Sequence, residues 1–322
     1  MNGSTLKISL GLVALVAVIT ACGRAGAPTL APATPMDTAA PSPSLAPSEP
    51  AATPSADPSA PPSAGNLTLK AYFLLFGNID GPTPLVPVSR EVAGTVAVAR
   101  AAMEQLLAGP TDDERAHDLQ VGTIGTQIPE GTRLLGLDVA DGIATVDLSS
   151  EFASGDITGD EREAWAIRLA QVTYTLTQFP TVESVRFLVD GKPGGAIEGH
   201  EGSPIDLATR SAYADQRGGI FVDEPAWGGA LTDLLTVSGI AQIDGESPEL
   251  QAAIVSRTTG ETLVQKTIRP NCPTGCWQPP GGGEFEFQMS VPGGADRDDL
   301  MLVVWSGAAD ISQSDAFAYP LR

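Results

Sequence analysis

The chain has 322 residues, with 18 basic and 39 acidic side chains and a formal charge of −21. This balance repels nucleic acid and anionic lipid headgroups, and no Lys/Arg cluster interrupts it, so nucleic acid is excluded as a partner. The length suffices for two ordinary domains plus tails, and the acidity reads as solubility outside the cell, with binding of divalent cations or basic partners as the alternative.

At the amino terminus one cation, Lys7, precedes an apolar run from Ile8 to Ile19 and then Thr20-Ala21-Cys22-Gly23. The run is short for a membrane span and fits the core of a secretory signal. Ile19-Thr20-Ala21-Cys22 resembles the lipobox of bacterial lipoproteins, which implies that residues 1–21 are removed and that Cys22 carries the lipid; an ordinary signal peptide containing a cysteine is the alternative. Each buried methylene of such an anchor contributes about 0.8 kcal/mol. From Arg24 to about Asn66 the chain is almost entirely Pro, Ala, Ser and Thr. Such a segment buries too little apolar surface to offset its ordering entropy, so residues 22–66 are expected to form a disordered tether, about 130 Å long if polyproline-like at about 3.1 Å per residue.

The first folded domain is expected at residues 67–200. Leu67 to Phe76 reads as a strand, residues 77–82 as a turn, and Leu85 to Glu91 as the returning strand. A helix follows from about Thr95 to Leu107, with Val96, Ala99, Met103 and Leu106 on its buried side and Gly109-Pro110 as its stop. The stretch Asp112-Asp113-Glu114 reads as an acidic loop. Arg133 to Val139 and Ile143 to Leu148 form a hairpin about Asp141-Gly142. The strongest signal is a long helix from about Asp160 to Phe179, on which Trp165, Leu169, Val172, Leu176 and Phe179 share one face. Thr158 and Glu161 form a capping-box candidate, and a last strand, Val182 to Val189, closes on Asp190-Gly191.

Six short pieces recur in order: Val86-Pro87-Val88 with Arg90, Leu106-Leu107-Ala108-Gly109-Pro110, Ile128-Pro129-Glu130-Gly131-Thr132, Ala144 to Ser149 with Phe152, Thr175 to Pro180, and Val189-Asp190-Gly191. Together they resemble the GerMN domain of sporulation and spore-germination lipoproteins. The resemblance implies a small α/β domain, a sheet packed by two helices, without known catalytic residues and related to ring-building modules of secretion assemblies.

Residues 201–217 are polar and lack a period, so they read as a linker. Seven short strands then follow within residues 218–322: 219–222, 234–243, 250–257, 262–268, 284–291, 300–305 and 316–321. With no helical period among them, they argue for an antiparallel β-sandwich. Pro225, the Leu235 to Ala241 run, Gly283-Glu284-Phe285-Glu286-Phe287 and Val303-Val304-Trp305-Ser306 resemble the immunoglobulin-like Gmad2 domain, and the expected fold class is therefore α+β, multi-domain.

Chemistry is sparse. His117 and His200 are the only histidines, and neither stands near a nucleophile motif. Carboxylate groups occur at Asp112-Asp113-Glu114, at Asp296 with Asp298-Asp299, and at Asp156 with Asp160. Glycosidases set two carboxylates about 5 to 10 Å apart among aromatic platforms, and aromatics are scarce here; the calcium spacing of known loops is missing as well. Solvated charge is the reading for all of them, with no catalytic residue, metal or cofactor expected. Cys272 and Cys276 lack the further ligands zinc needs and read as a local disulfide, with two free thiols as the alternative. Trp227, Trp277 and Trp305 read as core or rim, a sugar-binding face being the alternative.

The expectation is a non-enzymatic lipoprotein held at the outer side of the cell membrane by Cys22. It would dock envelope proteins or self-associate, with a role in sporulation or germination implied by the resemblance. Binding of wall glycan or a small ligand is the alternative.

Overall fold

The computed structural model describes residues 65–77, 83–116, 122–154, 161–193, 207–242, 249–272, 282–306 and 316–321. The chain divides into two units, residues 1–57 and 58–322, and all described residues lie in the second. Cys22, the expected signal and most of the expected tether, the Thr158 cap, His117, His200, Asp156, Asp160, Cys276 and Trp277 fall outside them.

The amino-terminal portion is built on two sheets. In the first, β1 (Asn66–Phe76) pairs antiparallel with β2 (Leu85–Ala93) from Asn66↔Ala93 to Leu74↔Leu85, and on its other side with β3 (Thr123–Gly125) at residues 74–76 only. In the second, the order is β4 (Leu134–Ala140), β5 (Ile143–Leu148), β6 (Ser184–Val189), β7 (Lys192–Pro193), with β5 and β6 parallel and the other pairs antiparallel. Both hairpins of this sheet turn on Asp-Gly. Asp141 and Gly142, like Asp190 and Gly191, all have positive φ, the geometry that matches the right-handed twist of the flanking strands.

Among the described residues three α-helices accompany these sheets: α1 (Val98–Ala108), α2 (Asp112–Arg115) and α3 (Glu161–Leu176). Helix α1 starts three residues later than its periodicity suggested. Ala97 caps it without a side-chain bond, so Val96 stands outside the helix and fully exposed, while Ala102, Met103 and Leu106 are buried. The acidic stretch expected as a solvated loop is α2, closed by a capping box between Thr111 and Glu114. The Glu114 carboxylate also takes both Nη groups of Arg90 at 2.6 and 2.7 Å, and Arg90 lies over the Phe73 ring at 5.3 Å.

The central helix α3 was expected to bury one face and buries nearly its whole circumference. Trp165, Leu169, Val172 and Leu176 are in the core as their spacing requires, but so are Arg168, Gln171, Thr173 and Thr175. The cause is β1. Because β3 pairs with it only at residues 74–76, the backbone groups of Lys70 and Tyr72 on that side lack a strand partner, and side chains of α3 and the residues after it supply one. Gln178 accepts from Lys70 N–H and donates to Lys70 C=O, Thr175 Oγ1 accepts from Tyr72 N–H, and Gln171 Nε2 donates to Tyr72 C=O. Polar residues on a buried helix face thus finish the edge of a strand.

The carboxy-terminal portion contains the seven expected strands, with bounds that agree to within two residues: β8 (Ile220–Glu224), β9 (Leu234–Ala241), β10 (Leu250–Ser256), β11 (Thr262–Ile268), β12 (Gly283–Ser290), β13 (Leu300–Ser306) and β14 (Ala316–Pro320). They form two antiparallel sheets, β12-β9-β8 and β11-β10-β13-β14. Strand β12 alternates buried Phe285, Phe287 and Met289 with exposed Glu284, Glu286 and Gln288, whereas β10 is buried on both faces. One hydrophobic core runs from Phe73 and Val172 through Phe221 to Leu235 and Val304, joining the two portions. Trp227 and Trp305 are buried in this arrangement and offer no aromatic face to solvent.

Candidate functional site

The residues expected to form a polar linker are instead ordered at their carboxy-terminal end. Residues 210–217 make a kinked 3-10 helix that buries Tyr213, Ala214 and Arg217. Arg210, its first residue, sits at the meeting point of the two portions. Its Nε donates to Thr177 Oγ1 at 2.9 Å, and one Nη donates to Tyr72 Oη at 3.1 Å and to Tyr174 C=O at 3.2 Å. The guanidinium lies over the rings of Tyr72 and Tyr174 at 5.3 and 4.8 Å, a half-buried cation–π arrangement.

Asp223 reaches this point because of a local irregularity in β8. The pairing of β8 with β9 shifts between Val222↔Gly239 and Glu224↔Ser238, leaving Asp223 as the extra residue of a bulge that re-aims its side chain. The close approach at this step requires glycine in β9, since a Cβ at Gly239 would stand 2.0 Å from Phe221 C=O. The Asp223 carboxylate accepts from Tyr72 Oη at 2.5 Å and stands 3.4 Å from Lys70 Nζ and 3.9 Å from Arg210. Lys70 also pairs with Glu224 at 2.6 Å. Phe221 stacks on Tyr72 and meets Tyr174 edge-on. Burial, reinforced by the Asp223 carboxylate, pushes the Tyr72 hydroxyl well above its usual range, so it stays protonated and serves as a donor; burial pushes Tyr174 up to about 12. Past the junction, Trp227 exchanges backbone hydrogen bonds with Pro87 and Ser89, extending the outer edge of β2.

Beside this junction opens a cleft of about 400 Å³. Its floor is the outer face of the three-stranded sheet, where Phe221, Ile240 and Glu284 form one cross-strand row and Ser238 and Glu286 the next. Arg210 and Asp223 form one wall, and Asn271, bridged to Glu284 through its backbone, stands at the rim. No nucleophile in this set is poised by a base: of the hydroxyls bonded to Arg210, Tyr72 holds its proton and Thr177 accepts from the guanidinium.

The other acids singled out from sequence do separate jobs. Asp299 accepts from Ser256 Oγ, Thr258 N–H and Thr258 Oγ1, which holds its carboxyl below the usual range, and Asp296 caps the short turn 297–299. Among the described residues no group of three or more His, Cys, Asp or Glu is placed to hold a metal ion. Cys272 is disulfide-bonded. Sequence reasoning missed Tyr72, Arg210 and Asp223; the bulge that aims Asp223 leaves no period of its own, and Arg210 lies in a stretch without one.

Among the described residues no helix is long and apolar enough to cross a membrane. No curated protein matches the chain. Among solved structures, the first GerMN domain of the sporulation protein GerM from Bacillus subtilis aligns at 24% identity over 45% of this chain and 98% of that one, with a TM-score of 0.34. The tandem GerMN domains of the same protein align at 17% identity over 64% of this chain and 61% of that one, with a TM-score of 0.35. Residues 70–195, the span from β1 to the end of the second sheet, match the model of the family Germane, described as sporulation and spore germination.

Proposed function

We propose that this chain is a non-enzymatic interaction module of the bacterial envelope, anchored outside the cell membrane through a lipid on Cys22, raised on residues 22–66, and presenting a GerMN-like portion fused to an immunoglobulin-like, Gmad2-like sandwich. The observation that supports it is the junction. The charged and hydroxyl groups that converge there are occupied with one another, Tyr72 with Asp223 and Arg210, Lys70 with Asp223 and Glu224, which fixes two portions as one presenting body rather than poising a group for turnover. Surfaces are available for docking on β4, the outer strand of its sheet, where Leu135 and Val139 are exposed. The local disulfide is assigned to Cys272 and Cys276. The family description attached to residues 70–195 favours a role in sporulation or germination.

The test is crosslinking of the tethered protein in its own membranes, followed by identification of the crosslinked species. Defined envelope proteins or a second copy are expected, and Cys22→Ser should move the protein from the membrane to the soluble fraction. A protein that remains monomeric and uncrosslinked at high density would overturn the reading. The cleft favours a second reading, binding of a small ligand, although Phe221 and Phe285 are too buried to serve as a sugar platform.

A further inference from the structure

We infer that the cleft beside the junction is a binding site for a primary alkylammonium group, its ammonium held between Glu284 and Glu286 and its carbon stem laid on Ile240. Three observations carry this. First, the cavity has the size of a small-molecule site, about 400 Å³, and lies where two portions meet, a common position for such sites. Second, its charges do not cancel. Arg210 and Lys70 are engaged with Asp223 and Glu224 at the wall, and no described cation pairs with Glu284 or Glu286. These two carboxylates are two residues apart on β12, so they project from the same face of the sheet, about 7 Å apart along the strand. A chain of formal charge −21 adds a field that draws cations toward such a concave, acid-lined surface.

Third, the lining distinguishes between kinds of cation. A calcium ion takes six to eight oxygens at close range, and the cleft's carboxylates do not converge into such a group. An ammonium on a carbon stem needs what is present: spaced acceptors for its three donors, an apolar strip in Ile240 beside the Phe221 ring, and neutral hydrogen-bonding groups at Ser238 and Asn271 for a second polar end. The source of the group is either a free amine or the lysine side chain of a basic segment, and the recognition chemistry is shared.

The experiment is calorimetric titration of the full chain with 1,5-diaminopentane, 1-pentanol, a lysine-rich peptide and calcium chloride. The amine or the peptide binds, and pentanol, of the same stem length without the charge, does not. Glu284→Gln with Glu286→Gln, both at exposed positions, weakens binding about tenfold or more, equivalent to about 1.4 kcal/mol. Ser238→Trp fills the cleft while both carboxylates remain in the chain, and also removes binding. Preference for diaminopentane identifies a free amine as the source, and preference for the peptide identifies a basic chain segment. Silence with both, binding unchanged in the double variant, or displacement of the amine by calcium overturns the inference. It rests on reading the cleft as a binding surface; chemical turnover of the amine would sink that reading, whereas loss of binding would sink only this one.

Discussion

The two portions of the folded body complete their strands by different means. In the amino-terminal portion a long central strand, β1, is left half-paired, and the deficit is met by side chains: Gln178, Thr175 and Gln171 bond its backbone, and Arg168 donates to the carbonyls of Gln127, Phe152 and Ser154 while only 3% exposed. In the carboxy-terminal portion β9, β10 and β13 have strands on both sides, and apolar packing fills the space between ladders. A fold stapled by side-chain amides and a guanidinium is sensitive to the loss of single polar atoms. A fold closed by ladders is sensitive to lost volume.

The largest effect expected from this contrast is at Arg168. Replacing it with Met keeps a side chain of similar length but leaves the buried Phe152 carbonyl and the part-buried carbonyls of Gln127 and Ser154 without their donor, and should cost about 4 kcal/mol of stability in urea denaturation. The matched change in the other portion is Ile254→Ala, a cavity in β10, with an expected cost of about 3 kcal/mol. A small effect of Arg168→Met beside a large one of Ile254→Ala would dissolve the contrast.

Alkali and acid should separate the portions next. Tyr174 has its pKa raised from 10.0 to about 12, so it contributes stability that is complete below pH 10 and lost as pH rises through 12; Tyr72, raised well above 10.0, acts in the same sense, its contribution complete below pH 10 and lost as pH climbs through its folded value. Stability should fall across that window, and Tyr72→Phe should make the fall shallower; an unchanged slope would mean that Tyr72 ionises without consequence. Asp299 behaves in the opposite sense. Hydrogen bonds from Ser256 and Thr258 lower its pKa from 3.8, so the stability it gives is present above pH 3.8 and disappears as pH drops through the folded value. Asp299→Asn should flatten the acid limb of the stability profile and leave the alkaline limb alone. The smallest effect should be at Val96: fully exposed before the start of α1, its change to Ala should alter stability by less than about 0.5 kcal/mol.

The same contrast governs what could be read from residues alone. In the carboxy-terminal portion the alternation of Phe285, Phe287 and Met289 with Glu284, Glu286 and Gln288 states both the strand and its inner face, because burial there follows the two-residue period. In the amino-terminal portion the period of α3 gave its apolar face and hid its polar one. Thr175 and Gln178 look like solvent-facing residues unless the missing partner of β1 is known, and that partner is set by how far β3 extends. Arg90 stood in a recognisable motif, but its partner Glu114 lay in a run of acids that looked uniformly solvated. The cleft was less legible still, since it is made by a bulge at Asp223, a close approach at Gly239 and an arginine from an aperiodic stretch, features that register as exceptions to pattern.

The shared core has a consequence for how such a chain can change over generations. Phe221 roofs the aromatic pair of Tyr72 and Tyr174, and Trp227 completes the border of β2, so the carboxy-terminal portion covers part of the amino-terminal one. Recombination that moved residues 70–195 into a new setting would uncover two tyrosines and a strand border at once. The portions are therefore constrained to be inherited as a pair, and any exchange of one must bring its own replacement for the Phe221 ring and the Trp227 backbone.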